Sequence, residues 1–288
     1  LTCLVCCSQA FSFSLHTVHS KSGLKIRSGF GIASELLGRS TKTSAICQRN
    51  SKCIARASVN DWDLTDVGRR ELKDIEGRWS KICVLGGSRG VGKEIVSLLS
   101  KRKVEVVALV RKESSKNELE AHSGVTAVVG DAFEPADVIR ALDGCDAAIS
   151  TLGGVTGDVR VDYKGNMNLI ENAGILGVTR VVLVTSLGCG DSKDAIPPHV
   201  YDMLRPALAD KTKAENLLLR YYTNTDYTVV RPGALADGPP TGAALLTEDR
   251  SASGSIRRAD LAQLVVQALY SKRAGKKVLA AVDPALIP

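Results

Sequence analysis

Six runs of apolar, largely β-branched residues recur along the chain: KICVL (Lys81 to Leu85), VEVVALV (Val104 to Val110), VTAVVG (Val125 to Gly130), DAAIST (Asp146 to Thr151), RVVLVTS (Arg180 to Ser186) and DYTVVRP (Asp226 to Pro232). Between them lie segments whose apolar residues repeat at helical spacing, as Ile95, Val96, Leu98 and Leu99 do after the first run. Runs that stay apolar instead of alternating with polar residues suit strands covered on both faces. The pattern therefore predicts βαβα alternation, an α/β fold with a doubly wound parallel sheet. A last helical pattern, RRADLAQLVVQAL, puts Leu261, Leu264, Val265 and Leu269 on one face, with Ser255 or Asp260 as a cap at its start. No internal repeat is evident. Residues 81–288 fit one α/β domain whose small C-terminal lobe begins near residue 232. Residues 58–80 read as a polar lead-in with one short helix, Trp62 or Trp79 packing on the sheet.

The first strand and its helix are joined by GGSRGVG: Gly86, Gly87, Ser88, Arg89, Gly90, Val91 and Gly92. Strand, glycine loop and helix in that order make a phosphate cradle. Glycines let the backbone turn and approach a ligand, and the unpaired N–H groups and positive dipole end of the helix attract an anion such as a pyrophosphate. Tight turns also need glycine for steric reasons alone, so the loop does not by itself separate the two readings.

Charge is distributed unevenly. Residues 1–57 hold one acidic residue, Glu35, against eight basic ones and ten serines, which is transit-peptide composition, and the serine excess favours a plastid. The chain opens on Leu1, so an initiating methionine is expected upstream. The formal +7 belongs to this segment, because the remainder carries 30 Lys+Arg and 30 Asp+Glu. The basic balance thus speaks for import and not for nucleic acid, since no Lys/Arg cluster with interleaved aromatics follows. Five of the eight cysteines fall in the same segment. Cys83, Cys145 and Cys189 remain, without metal-ligand spacing, and read as core residues of a reducing compartment. No apolar run approaches the roughly 18 residues of a membrane span.

From Lys81 to Val282 the chain resembles the short-chain dehydrogenase/reductase superfamily. The loop looks like that of ordinary short-form members, spacing Gly86-x-x-x-Gly90-x-Gly92, with Leu85 where threonine is usual. VVGDAFEPADVIRALDGCDAAISTLGG, DYKGNMNLIENAGILGVTRVVLVTSLG, DKTKAENLLLRYYTNTDYTVVRPGAL and SGSIRRADLAQLVVQAL resemble instead its atypical, NmrA-like branch, which includes plant plastid proteins and biliverdin- or flavin-reductase-like enzymes. The resemblance implies a Rossmann fold and a nicotinamide dinucleotide.

An acidic residue ending the second strand would bind the ribose 2′-hydroxyl of NAD, but here Arg111 and Lys112 occupy that place and favour the 2′-phosphate of NADP(H). Arg89 suits the same phosphate. The bland alternative is that Arg111 and Lys112 are solvated strand-end charges. By resemblance, Asp131 and Ala132 border the adenine, while Thr151, Leu152 and Gly153, with Gly154, line the path of the pyrophosphate and nicotinamide ribose. Pro232 and Gly233 form the turn beneath the nicotinamide. The Asn-Ala-Gly that follows the fourth strand in ordinary members is absent, and the NAG at Asn172 to Gly174 falls inside the next helical segment.

The superfamily's chemistry uses a tyrosine as proton donor with a lysine four residues later. None of the six tyrosines has lysine at that spacing; the nearest pattern is Tyr201-Asp-Met-Leu-Arg205. Aligned on K-x-K-A-E, Lys211 takes the lysine position and Ala207 stands where tyrosine belongs. Ser186 matches the family's serine, which either faces the reacting group or satisfies loop backbone. His199 reads as a surface-loop residue, with a proton source as the alternative because a free imidazole titrates near neutrality. The Gly-, Pro- and Ala-rich stretch from Asp237 to Ser255 lies over the substrate cleft as a lid. Two function classes follow: an NADPH-dependent reductase of a small conjugated or carbonyl compound, and an NADP(H)-binding regulatory or scaffold protein without turnover whose protein partner is unknown.

Overall fold

The computed structural model describes residues 79–153, 159–221 and 225–286. The expected transit segment and nearly all of the lead-in, Trp62 included, lie outside them. Ten strands and six α-helices are present among the described residues: β1 (Lys81–Leu85), α1 (Gly90–Lys101), β2 (Glu105–Val110), α2 (Glu113–Glu120), β3 (Val125–Val129), α3 (Pro135–Leu142), β4 (Ala147–Ser150), α4 (Lys164–Ile175), β5 (Arg180–Val184), α5 (Pro198–Tyr221), β6 (Asp226–Pro232), β7 (Ala234–Ala236), β8 (Leu245–Thr247), β9 (Ser255–Arg257), α6 (Arg258–Tyr270) and β10 (Lys277–Val282). Eight strands form one sheet in the order β3-β2-β1-β4-β5-β6-β10-β8. Every pairing in it is parallel except β10 with β8. The order reverses between β1 and β4, which is where such sheets open a crevice at their carboxyl ends.

Successive strand residues point to opposite faces, and the core divides accordingly. Ile82 and Val84 join Val106 and Ala108 under α1 and α6, where Val91, Ile95, Val96, Leu99, Leu261 and Val265 are buried with Trp79. Cys83 and Leu85 join Val107 and Leu109 on the other face, under Val138 of α3, Leu169 of α4 and Leu218 of α5. Burial on both faces explains why the strands read as unbroken apolar runs.

One charge sits deep in this arrangement. Arg180, at the start of β5, is 1% exposed. Its Nε donates to Leu269 O at 3.1 Å and its Nη2 to Ala268 O and to Thr228 Oγ1, each at 2.6 Å. The last carbonyls of α6 have no partner within the helix, and a cation there also meets the negative end of the helix dipole.

The stretch from Asp237 to Ser255 departs from expectation. Instead of a free cover it supplies β8, paired antiparallel to β10 through Leu246 and Ala281. It is also fastened elsewhere. Asp260 Oδ2 accepts from Thr241 N at 2.8 Å and Oδ1 from Gly242 N at 3.0 Å, Lys277 pairs with Glu248, and Arg250 reaches Asp191 at 2.7 Å. Asp260 therefore does not cap its own helix. The N-cap of α6 is Arg257, without a side-chain cap bond, and Asp260 in the first turn turns its carboxylate to the neighbouring loop. Strands β7 and β9 pair parallel as a separate two-stranded sheet.

Candidate functional site

The carboxyl ends of β1, β2, β3, β4, β5 and β6 carry nearly all of the residues singled out from the sequence. At β1, Gly86 has φ +82°, and a Cβ there would lie 2.7 Å from Thr151 Oγ1. A Cβ on Gly92 would fall 2.2 Å from Gly86 O, so this glycine lets α1 close against the strand end. Thr151 braces the same turn, its N–H and hydroxyl both donating to Leu85 O at 3.0 and 3.1 Å. Gly87 packs inward, a Cβ lying 3.1 Å from Val96 Cγ2. Gly86, Gly87, Gly92 and Thr151 thus shape the loop by internal packing.

Arg89 is exposed, extended, and the N-cap of α1, with no side-chain cap bond. The helix start is therefore not closed by a side chain of its N-cap. Gly90 follows with φ +54°, and the nearest atom to a Cβ there is Arg258 Nε at 4.0 Å. Ser88 is half-buried between these glycines and Val91 is buried behind them. An uncapped helix start behind a glycine loop with open space at Gly90 fits a dinucleotide's diphosphate.

Arg111 and Lys112 are exposed at the end of β2, Lys112 serving as the N-cap of α2. Among the described residues no ion pair occupies Arg89, Arg111 or Lys112. After β3, Asp131 turns its carboxylate onto its own loop, accepting from Phe133 N at 3.0 Å, while its N–H donates to Asp137 Oδ2 at 2.8 Å. Ala132 is buried, and its carbonyl accepts from Asn168 Nδ2 at 2.8 Å.

The decisive side chain past β4 comes from α5. Lys211 Nζ lies 2.6 Å from Asp162 Oδ1 and 3.3 Å from Leu152 O, and a Cβ on Gly153 would sit 3.1 Å from it. Asp162 is completely buried and Lys211 is 13% exposed in its side chain. Lys211, Leu152 and Gly153 are thus brought together, with an aspartate that sequence reasoning missed. A signal existed: a lysine placed at a sheltered ribose site needs an anion, and VDYKGN supplies an acid just ahead of a close-packed helix start. There, a Cβ on Gly165 would lie 3.1 Å from Leu152 Cδ1. Gly154 lies outside the described residues.

Tyr201 is not brought to this lysine. It precedes Lys211 by ten residues on α5, about 15 Å along the axis at 1.5 Å per residue, and Lys193 Nζ sits 4.9 Å from its ring centroid. His199 is exposed in the first turn of the same helix. Ser186 is half-buried after β5 and donates to Leu187 O at 2.9 Å. Pro232 is buried at the end of β6, where its carbonyl accepts from Leu187 N at 2.9 Å and so ties the two strand ends together.

Behind Ser186 lies a charge network. Arg231 Nε and Nη2 grip Glu215 Oε1 and Oε2 at 3.0 and 2.7 Å, and Nη1 reaches Asp191 Oδ1 at 2.6 Å. Thr185 Oγ1 donates to Glu215 Oε1 at 2.6 Å. Burial works against the charge of Arg231, but Glu215 and then Asp191 outweigh it and raise its pKa. Partial burial opposes ionisation of Asp191 too, yet Arg231 and Arg250 hold its carboxyl below the usual range. A carboxyl with a lowered folded-state pKa stabilises the fold above its unfolded value and loses that contribution as pH falls through the folded one. Acid titration followed by near-UV circular dichroism is expected to show Asp191→Asn less acid-sensitive than the parent below about pH 4. Burial likewise pushes the Cys189 thiol up to about 12, leaving it unreactive. Among the described residues no cluster of His, Cys, Asp or Glu could hold a metal ion, and no helix is long and apolar enough to cross a membrane.

A protein family described as NAD(P)H-binding matches residues 86–272, from the glycine loop to the end of α6. The chain belongs to the NAD(P)H-binding family of atypical short-chain dehydrogenases/reductases. It is similar to an uncharacterised sugar epimerase, YhfK, of Bacillus subtilis (strain 168), with 31% identity over 67% of this chain and 89% of that protein. An uncharacterised chloroplastic protein of Arabidopsis thaliana, At2g34460, is 31% identical over 72% of this chain and 78% of its own length. Among solved structures, ChuY, an anaerobillin reductase from Escherichia coli O157:H7, superposes with a TM-score of 0.65 and 32% identity, covering 72% of this chain and 99% of that one. The family is one of NAD(P)H-binding oxidoreductases with reductases among its members.

Proposed function

We propose that the protein is an NADPH-dependent oxidoreductase of a small conjugated or carbonyl substrate. The observation that carries this reading is Lys211, an ammonium fixed by a buried carboxylate against the loop after β4, within the crevice that begins at the glycine loop. Bound NADPH supplies a hydride. Lys211 holds the nicotinamide ribose, the backbone at Gly153 lets it approach, and the glycine loop with the start of α1 receives the diphosphate. Arg89, Arg111 and Lys112 take the 2′-phosphate, and Asp131 and Ala132 border the adenine. Ser186 lies at the end of β5, and its hydroxyl, which donates to Leu187 O in the free protein, turns that proton to the carbonyl oxygen of the group that accepts the hydride. Tyr201 stands too far along α5 to protonate the product, so water or another donor does so. The anaerobillin reductase among the similar structures supports reduction as the reaction class.

The test is a stopped-flow screen of NADPH oxidation against flavins, quinones, enals and tetrapyrroles. Turnover with one class that falls in Ser186→Ala at unchanged NADPH affinity supports the reading. For cofactor choice, NADPH is expected to bind at least about tenfold tighter than NADH, some 1.4 kcal/mol, and Arg111→Asp to remove the difference. Equal affinities in the parent protein would refute the 2′-phosphate assignment.

A second reading, an NADP(H)-binding regulatory or scaffold protein, is favoured by Ala207 standing where the proton-donating tyrosine belongs. NADPH binding with no acceptor reduced supports it. The acid-poor first 57 residues and the chloroplastic relative support a plastid stromal location.

A further inference from the structure

Arg258 opens α6, and α6 shares a face of the sheet with α1. The topology places it on a particular side of the crevice. Lys93 of α1 pairs with Glu118 of α2, so α2 flanks α1 toward β2 and β3, where the adenosine half would lie. Helix α6 packs over β5 and β6 on the opposite flank. Its first residue reaches back to the glycine loop: Arg258 Nε is the nearest atom to the position of a Cβ on Gly90, at 4.0 Å. Lys211 comes from α5, which buries Ala214 and Leu218 on the other face of the sheet. Two cations therefore bracket the passage between the glycine loop and the loop after β4.

Arg258 is held in place by a carboxylate. Its Nη1 pairs with Asp237 Oδ1, and Arg257 Nη1 donates to the carbonyl of the same aspartate. Asp237 is 91% exposed and Arg258 33% exposed in their side chains. An exposed carboxylate is a weak partner that solvent screens strongly. A doubly charged diphosphate at the start of α1 offers a guanidinium a better match, because paired oxygens suit its fork of donors.

We propose that Arg258 is a ligand of the cofactor's diphosphate and that Asp237, the residue immediately after β7, competes with the diphosphate for it. This rests on the cofactor reading above and adds a binding residue outside the glycine loop. It also links cofactor binding to the chain that leaves β6 toward the substrate side, since the same arginine joins both.

Calorimetry with NADPH and NADH tests this on the full chain. Arg258→Ala is expected to weaken both nucleotides by the same factor, about 5- to 20-fold for charge-assisted bonds at a partly exposed site. It leaves the NADPH-to-NADH ratio untouched, unlike Arg111→Asp. Asp237→Asn is expected to tighten both by about 2- to 5-fold, because it removes the competitor. The opposite signs matter. If the ion pair merely fastened the lobe, both substitutions would break it and act alike. Should Arg258→Ala not fold, Arg258→Gln keeps the bulk and polarity and carries the same expectation. Unchanged affinities, a loss confined to NADPH, or weakening by Asp237→Asn overturns the proposal. A parent protein that binds neither nucleotide overturns the cofactor reading itself.

Discussion

Arg231→Leu is expected to lower folding stability by about 3–5 kcal/mol, because it leaves Glu215 buried with its charge unpaired. Glu215 is 2% exposed, and besides Arg231 only the Thr185 hydroxyl contacts its carboxylate among the bonds described. For a domain of this size about 1 kcal/mol moves the melting temperature by some 2–4 °C, so a fall of roughly 6–20 °C should appear in a thermal melt. The double variant Arg231→Leu/Glu215→Leu separates the pair's own worth from the penalty of stranding one partner. Removing both charges is expected to recover at least half of the loss, since a buried ion pair often breaks even with an apolar replacement. A double variant as unstable as the single one would mean that the network holds the 186–195 loop through specific hydrogen bonds. The consequence for the site is direct: Arg231 and Glu215 tie β6 to α5, the two elements that deliver Pro232 and Lys211.

The parts that were legible in the sequence are those in which one physical demand dominates. Strand β6 reads correctly from Asp226 to Pro232 because its β-branched run is buried on both faces, the two polar residues within that run, Thr228 and Arg231, each being hydrogen-bonded inside. The glycine loop is legible because Gly86 and Gly90 take positive φ, which side chains disfavour. Even so, the reason for Gly92 is nearer than a ligand: it lets α1 touch Gly86 O. Strand β8 escapes notice because three residues, Leu245 to Thr247, carry no period and owe their conformation to β10. Asp260 misleads for a related reason, since a cap is a local expectation while its real partners, Thr241 and Gly242, lie 19 and 18 residues away. Asp162, Glu215 and Arg258 share that limit. Their partners, Lys211, Arg231 and Asp237, come from elements distant in sequence, and no spacing rule encodes such meetings, although a sheltered Lys211 already calls for an acid such as the one in VDYKGN.

Lys211→Ala poses the sharpest question about the candidate site. The ammonium contacts Asp162 and Leu152 O, so its loss has two separable effects. One is structural: the wholly buried carboxylate of Asp162 loses its ammonium partner, and stability falls. The other concerns the cofactor, whose ribose would lose one or two charge-assisted hydrogen bonds of about 1.5–3 kcal/mol each, or at least tenfold in NADPH affinity. Asp162→Asn keeps the size and an acceptor for Lys211, and is expected to change affinity by less than about threefold, because the ammonium still has Leu152 O to place it. The double variant Lys211→Ala/Asp162→Asn then decides. With the buried negative charge gone, its melting temperature should return toward that of the parent, while NADPH affinity stays as weak as in Lys211→Ala. Recovery of affinity along with stability would mean that Lys211 serves only as the counter-ion of Asp162. In that case the ribose would be held by backbone at Leu152 and Gly153, and Lys211 would serve the fold and not the cofactor.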